Sequence, residues 1–173
     1  CLIHNSWSSN SAWPYDWSGF DYCPFQPQTK EELQTAVDLW VSDNASALAT
    51  YGEINAWDVS LITDMIDLFR NKTFNDDISD WDVSNVTTMI AMFRGTNGFN
   101  QDLNSWDVSN VTNMSNLFYG TVFNQPLDNW DVSNVTEMIG TFQYCNSFNQ
   151  DIGNWNTSSL TRLRETFKGA NSF

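Results

Sequence analysis

Positive charge is nearly missing from this sequence: 7 Lys and Arg stand against 21 Asp and Glu, giving a formal net charge of −14. A surface this acidic repels nucleic-acid phosphates and anionic headgroups, so nucleic-acid binding is excluded as a role. Histidine is scarcer still. His4 is the only one, so no Ser-His-Asp or Cys-His pair can be built from the rest of the chain. Three cysteines and one histidine cannot furnish a structural zinc site. No Gly-rich phosphate loop occurs, and no run approaches the roughly 18 consecutive apolar residues of a membrane span. The sequence therefore offers no catalytic, cofactor or metal site, and membrane insertion is not expected. The excess of carboxylates reads as a solubilising surface, with loose divalent-cation binding as the alternative.

What the chain has in abundance is repetition. Trp57-Asp58-Val59-Ser60 returns at Trp81, Trp106 and Trp130, and in worn form as Trp155-Asn156-Thr157-Ser158, at spacings of 24, 25, 24 and 25 residues. Self-similarity at a fixed period marks a repeat architecture. Within one unit, Trp81-x-Val83 has the two-residue period of a strand, and Val86, Met89, Ile90 and Phe93 fall at i, i+3, i+4 and i+7, one face of a short helix. Ser84 or Asn85 stands where a side-chain oxygen caps a helix, and Gly95 with Asn97-Gly98 permits a turn. The reading is an α/β solenoid of 24–25-residue coils, each a short strand plus a short helix. One unit cannot shield its own Trp, Met and Phe, so neighbours must stack and align columns of Trp57/81/106/130/155 and Phe69/93/118/142/167. Asn75, Asn100, Asn124 and Asn149 form a polar column whose amides can bond to the turn and to the same residue one coil away. Thr63, Thr87, Thr112, Thr136 and Thr161 form another. Asp77, Asp102 and Asp151 recur with the repeat, which explains them better than a glycosidase pair does.

Three segments follow. Residues 1–28 are an aromatic arm, 29–56 a helical N-terminal cap, and 57–173 the repeat, five coils with the last incomplete. In the cap, Thr29 and Glu32 make a capping box, and Leu33, Ala36, Val37 and Trp40 form the apolar face of a helix over 29–43 that covers the first coil. The arm crowds Trp7, Trp13, Trp17 and Phe20 together without a period. It is either an irregular cap or an adhesive arm for another subunit. Cys1 and Cys23 could close it as a disulfide in an oxidising compartment. Cys145 replaces Thr96 and Ala170 of other coils and reads as a small buried residue. Seven Asn-x-Ser/Thr sequons occur, at Asn44, Asn71, Asn85, Asn110, Asn113, Asn134 and Asn156. Asn71 is the cleanest glycosylation candidate because it lies outside the repeated Asn-Val-Thr.

The run Phe99-Asn100-Gln101-Asp102-Leu103 to Trp106-Asp107-Val108-Ser109-Asn110-Val111-Thr112 resembles the BspA-like leucine-rich-repeat surface proteins. The resemblance spans about residues 29–173 and implies a leucine-rich-repeat-like solenoid displayed or secreted outside the cell, with binding or adhesion as its role. It brings no catalytic residues. The expected function is that of an extracellular structural or adhesive surface protein, assembling end to end into a filament or array. Phe167 and Phe173 in the last coil and the arm aromatics are the candidate contacts. The alternative is a monomeric carbohydrate- or protein-binding module. Partners are then copies of itself or another extracellular protein or glycan.

Overall fold

A computed structural model describes residues 24–173. Helix α1, Lys30–Ser42, begins where Thr29 accepts the Glu32 N–H at 3.2 Å. The Glu32 carboxylate in turn accepts the Gln28 N–H at 2.7 Å. This exchange satisfies donors that the first helical turn leaves free. The face read from the sequence, Leu33, Ala36, Val37 and Trp40, is buried. A second helix was not foreseen. Asp43 ends α1 and caps α2, Asn44–Tyr51, by accepting the Ser46 N–H at 3.1 Å. Only Ala47 of α2 is buried, so its periodic signal is weak. A 3-10 turn over Ile54–Ala56 leads into the first coil.

The coils do stack, but they are not the strand-plus-helix units of an α/β leucine-rich-repeat solenoid. Among the described residues there are two α-helices, both in the cap, and no β-strand. Adjacent coils meet in isolated parallel bridges instead, at Asp64–Thr88, Thr88–Asn113, Asn113–Glu137 and Glu137–Arg162.

The expected helix fails for a backbone reason. Its second turn would need right-handed dihedrals at Ala91, yet Ala91 has φ of 54°, and its equivalents Asp67 (61°), Asn116 (59°), Gly140 (63°) and Glu165 (58°) are left-handed too. One left-handed residue ends a right-handed helix. The run becomes a series of tight turns, with Met92 N–H bonded to Met89 C=O and Arg94 N–H to Ala91 C=O. Alternate N–H groups are left to the next coil. Met65, Asp67, Phe69 and Asn71 donate to Thr88, Ile90, Met92 and Arg94, and the same four-bond run recurs at each of the four interfaces at 2.7–3.1 Å. Every bond of this run points toward the following coil.

The strand fails as well. Asp82 Oδ1 accepts the Ser84 N–H at 3.0 Å, and Val86 N–H bonds to Val83 C=O, so the chain turns directly after Trp-Asp-Val. Asn85 caps no helix; its amide Nδ2 donates to the Ser60 carbonyl of the preceding coil at 2.9 Å.

The interior is built of aromatic columns. Trp57, Trp81, Trp106 and Trp130 are 2–4% exposed, and Trp155 is partly buried. Phe69, Phe93, Phe118, Phe142 and Phe167 stack ring on ring at 5.4–5.7 Å. A second column, Phe74, Phe99, Phe123, Phe148 and Phe173, packs against it. The preference for Trp at one site has a polar cause. Trp81, Trp106, Trp130 and Trp155 donate their indole N–H to Ile54, Ile78, Leu103 and Leu127 carbonyls one coil earlier, at 2.7–3.2 Å. A buried ring that also satisfies a buried carbonyl holds the coil register as well as the core.

Candidate functional site

The polar columns are spent on holding coils together. Asn75 Oδ1 accepts the Asn100 N–H, Asn100 that of Asn124, and Asn124 that of Asn149, each at 2.8 Å. The Thr column does the same work, each Thr from Thr87 onward donating its hydroxyl to the carbonyl of the Thr before it at 3.1–3.2 Å. Neither column presents a free row of donors or acceptors.

The sequons differ in their engagement. Asn85, Asn110 and Asn134 each donate Nδ2 to a Ser carbonyl one coil back, at 2.8–2.9 Å. Asn113 bridges Glu137 and the Ser115 N–H, and Asn156 accepts the Ser158 N–H. Asn44 opens α2. Asn71 is exposed in a left-handed turn at φ 57°, with its amide over Gly95. The Cys1–Cys23 pair and the arm residues Trp7, Trp13, Trp17 and Phe20 lie outside the described residues. Phe167 is partly buried between Phe142 and Phe173, and Phe173 is 52% exposed. Cys145 is buried in the site that Thr96 and Thr121 fill in other coils, 3.4 Å from Thr121 Oγ1 and donating to Phe123 C=O at 3.3 Å. Burial pushes its thiol pKa up, which leaves it a poor nucleophile.

Charge is segregated around the coil. Every Lys and Arg after residue 50 falls between the Thr column and the corner Phe: Arg70, Lys72, Arg94, Arg162, Arg164 and Lys168. The remaining arc carries Asp58, Asp76, Asp77, Asp80, Asp82, Asp102, Asp107, Asp128, Asp131 and Asp151 and no basic residue. Most cations are paired: Arg70 with Asp67 at 3.2 Å, Lys72 with Asp38 at 2.6 Å, Arg162 with Glu137 at 3.0 Å, and Lys168 with Glu165 at 3.3 Å. The Lys168 hydrogen bond holds the exposed Glu165 carboxyl below the usual carboxylate range. Among the described residues, no group of three acidic, His or Cys side chains is placed to hold a metal ion. No helix among them is long and apolar enough to cross a membrane.

Two features stand out from this regular surface. The first is an open cleft of about 430 Å³ where the helices meet the first coil, lined by Trp40, Leu48, Glu53, Phe74 and Asp76 among others. Its Asp76 carboxylate accepts the Trp40 indole N–H at 2.7 Å. The second is a trio on successive coils: the Arg94 guanidinium lies 4.7 Å from the Tyr119 ring centre, and Tyr119 meets Tyr144 edge to face at 5.5 Å. Motif searching passed over this trio because neither tyrosine belongs to a motif. Aligning the coils residue by residue reveals it, since both stand where the other coils carry different residue types.

A chain built of stacked, turn-rich coils that are bonded only to their neighbours is a tandem-repeat protein. It belongs to the family described as Mycoplasma protein of unknown function, DUF285, whose model matches residues 39–129 and again residues 120–173. No curated protein and no solved structure matches the chain.

Proposed function

We propose that this chain is a structural and adhesive surface protein acting outside the cell, and that it binds through the flank of its coil stack. The observation that carries this reading is how the residues are divided. The interior is filled by Trp and Phe columns, and the recurrent Asn and Thr are used between coils. What varies from coil to coil is the set of outward side chains on an otherwise repeated frame. Such a frame suits display of contacts, not enclosure of a substrate. The resemblance to BspA-like surface proteins supports placing it outside the cell. To test this, purified chain would be layered on host cells and on extracellular-matrix coats. Saturable retention is expected, and no retention on any of these surfaces would overturn the proposal.

End-to-end assembly of copies is the second reading, favoured by the one-way run of hydrogen bonds between coils. Along the turn run, each coil turns its N–H groups to one side and its carbonyls to the other, so a neighbour that extends this run joins head to tail, and such contacts propagate. Light scattering at micromolar concentration separates the two readings: larger species for the assembler, a monomer for the flank-binding module.

A further inference from the structure

We propose that Arg94, Tyr119 and Tyr144 form a platform that binds a neutral saccharide, naming a ligand for the outward flank; the inference rests on the adhesive reading above. The case begins with what the repeat does not need. Position 144 is occupied by Asn71, Gly95, Gly120 and Gly169 in the other coils, all with positive φ. Tyr144 takes the same left-handed conformation at φ 57°. A left-handed backbone is strained in a bulky residue, and the fold could avoid it with the glycine used in three other coils. Position 119 is Arg70, Arg94, Gln143 or Lys168 elsewhere. Both tyrosines are thus departures from the repeat on adjacent coils, and they touch each other.

Their surroundings narrow the ligand. One side of the Tyr144 ring lies over Gly169, where an added Cβ would stand 2.5 Å from Tyr144 Cδ1, yet the residue remains 43% exposed. At Gly120, one coil before Tyr144, a Cβ would meet nothing within 4 Å, so an open step lies next to Tyr119. No hydrogen bond to either phenolic oxygen is formed among the described residues, which leaves both hydroxyls for a ligand. Arg94 stacks on Tyr119 and has no carboxylate partner among the described residues, so its N–H groups are available too. The Arg94 charge is engaged with the Tyr119 ring face, and the chain's net charge of −14 repels anions, so the platform favours a neutral ligand. A pyranose ring fits this set: its C–H face packs on an aromatic ring, and its rim hydroxyls both donate and accept. A stable protein partner would need roughly 800 Å² of matched surface on each side, whereas each tyrosine supplies at most about 150–250 Å².

The test uses the full chain and an array of neutral oligosaccharides, followed by saturation-transfer NMR on any that bind. Wild type is expected to bind at least one neutral glycan. Tyr144→Gly and Tyr119→Gln, which restore residues the repeat itself uses, are expected to weaken it about tenfold or more while leaving circular dichroism and thermal unfolding in place. Tyr144→Phe is expected to keep most of the stacking. Absence of any neutral-glycan binding overturns the inference. Glycan binding that survives Tyr144→Gly also overturns it. Cell retention that persists without glycan binding removes the saccharide and leaves the adhesive reading standing, so the two failures are distinguishable.

Discussion

The helical cap and the coil stack solve the same problem, satisfying backbone polar groups, in opposite ways. In α1 the bonds close within four residues, and the ends are finished by Thr29, Glu32 and Asp43. In the stack, half of the N–H groups along the turn run have no partner within their own coil and wait for the coil that follows. The cap is therefore locally specified, whereas a coil is specified by its neighbours. The cap also reaches across to the stack. Gln34 Nε2 donates to the Leu68 carbonyl at 3.0 Å, and Lys30 pairs with Asp64 at 2.9 Å, so the first coil's acceptor side is met by cationic and amide donors. Sheet-like and helical hydrogen bonding meet there without a strand.

The sharpest way to break the comparison is at the centre of the stack. Trp106→Ala should cost about 3–5 kcal/mol, because it removes a buried ring and one of the two hydrogen bonds to the Ile78 carbonyl, leaving only that from Trp81 N–H. Denaturant unfolding giving a loss under about 1 kcal/mol would mean that the columns do not carry the stack. Next comes Gly140→Val. Its φ of 63° disfavours a β-branched residue, and a Cβ there would stand 2.8 Å from Asn116 Oδ1, so a loss of roughly 1–3 kcal/mol is expected in thermal melts. The matching probe in the cap is Thr29→Ala, expected to cost about 1 kcal/mol through the lost N-cap bond. If it costs as much as Trp106→Ala, the cap nucleates the stack instead of merely covering it.

The smallest effect is electrostatic. Glu165 has a folded pKa below its ordinary 4.5, held there first by Lys168, so its contribution is present above pH 4.5 and fades as pH falls through the lower folded value. Because the pair is exposed, Glu165→Gln should leave the melting temperature unchanged within error at pH 7. A clear drop at pH 7 would show that the last coils depend on their ion pairs.

How much of this could be read from the sequence follows from which forces leave a local signature. The period, the Trp and Phe columns and the buried face of α1 were legible because burial repeats at fixed spacing. The Asn column was legible because an amide at a corner has few other uses. The coil backbone was not. Val86, Met89, Ile90 and Phe93 have helical spacing, but the same spacing places Met89 and Phe93 inward across consecutive tight turns. The residue that ends the helix is Ala91, Asp67 or Glu165 as often as a glycine or asparagine, so no left-handed preference announces it. Apolar spacing thus placed Val86, Met89 and Phe93 inside correctly, but it also put the half-buried Ile90 there, missed the buried Met92, and gave the wrong hydrogen bonding. The helix α2 escaped for the opposite reason: with only Ala47 buried, it has almost no apolar stripe to detect. Tyr119 and Tyr144 escaped because a search for motifs looks for what recurs, and they are informative only as exceptions.

The alternation of 24- and 25-residue spacings has a further consequence. The longer coils carry one more residue at the corner, Gly98 after Asn97 and Ser147 after Asn146, while the columns and the hydrogen-bond run stay aligned. Each coil therefore presents matching faces above and below, whatever its exact length. A gene encoding near-identical Trp-Asp-Val-Ser-Asn-Val-Thr segments can lose or gain one whole unit by unequal recombination, and the junction still closes. Length becomes a heritable variable that leaves the fold untouched, and an outlier such as Tyr144 can be moved, duplicated or discarded with its coil.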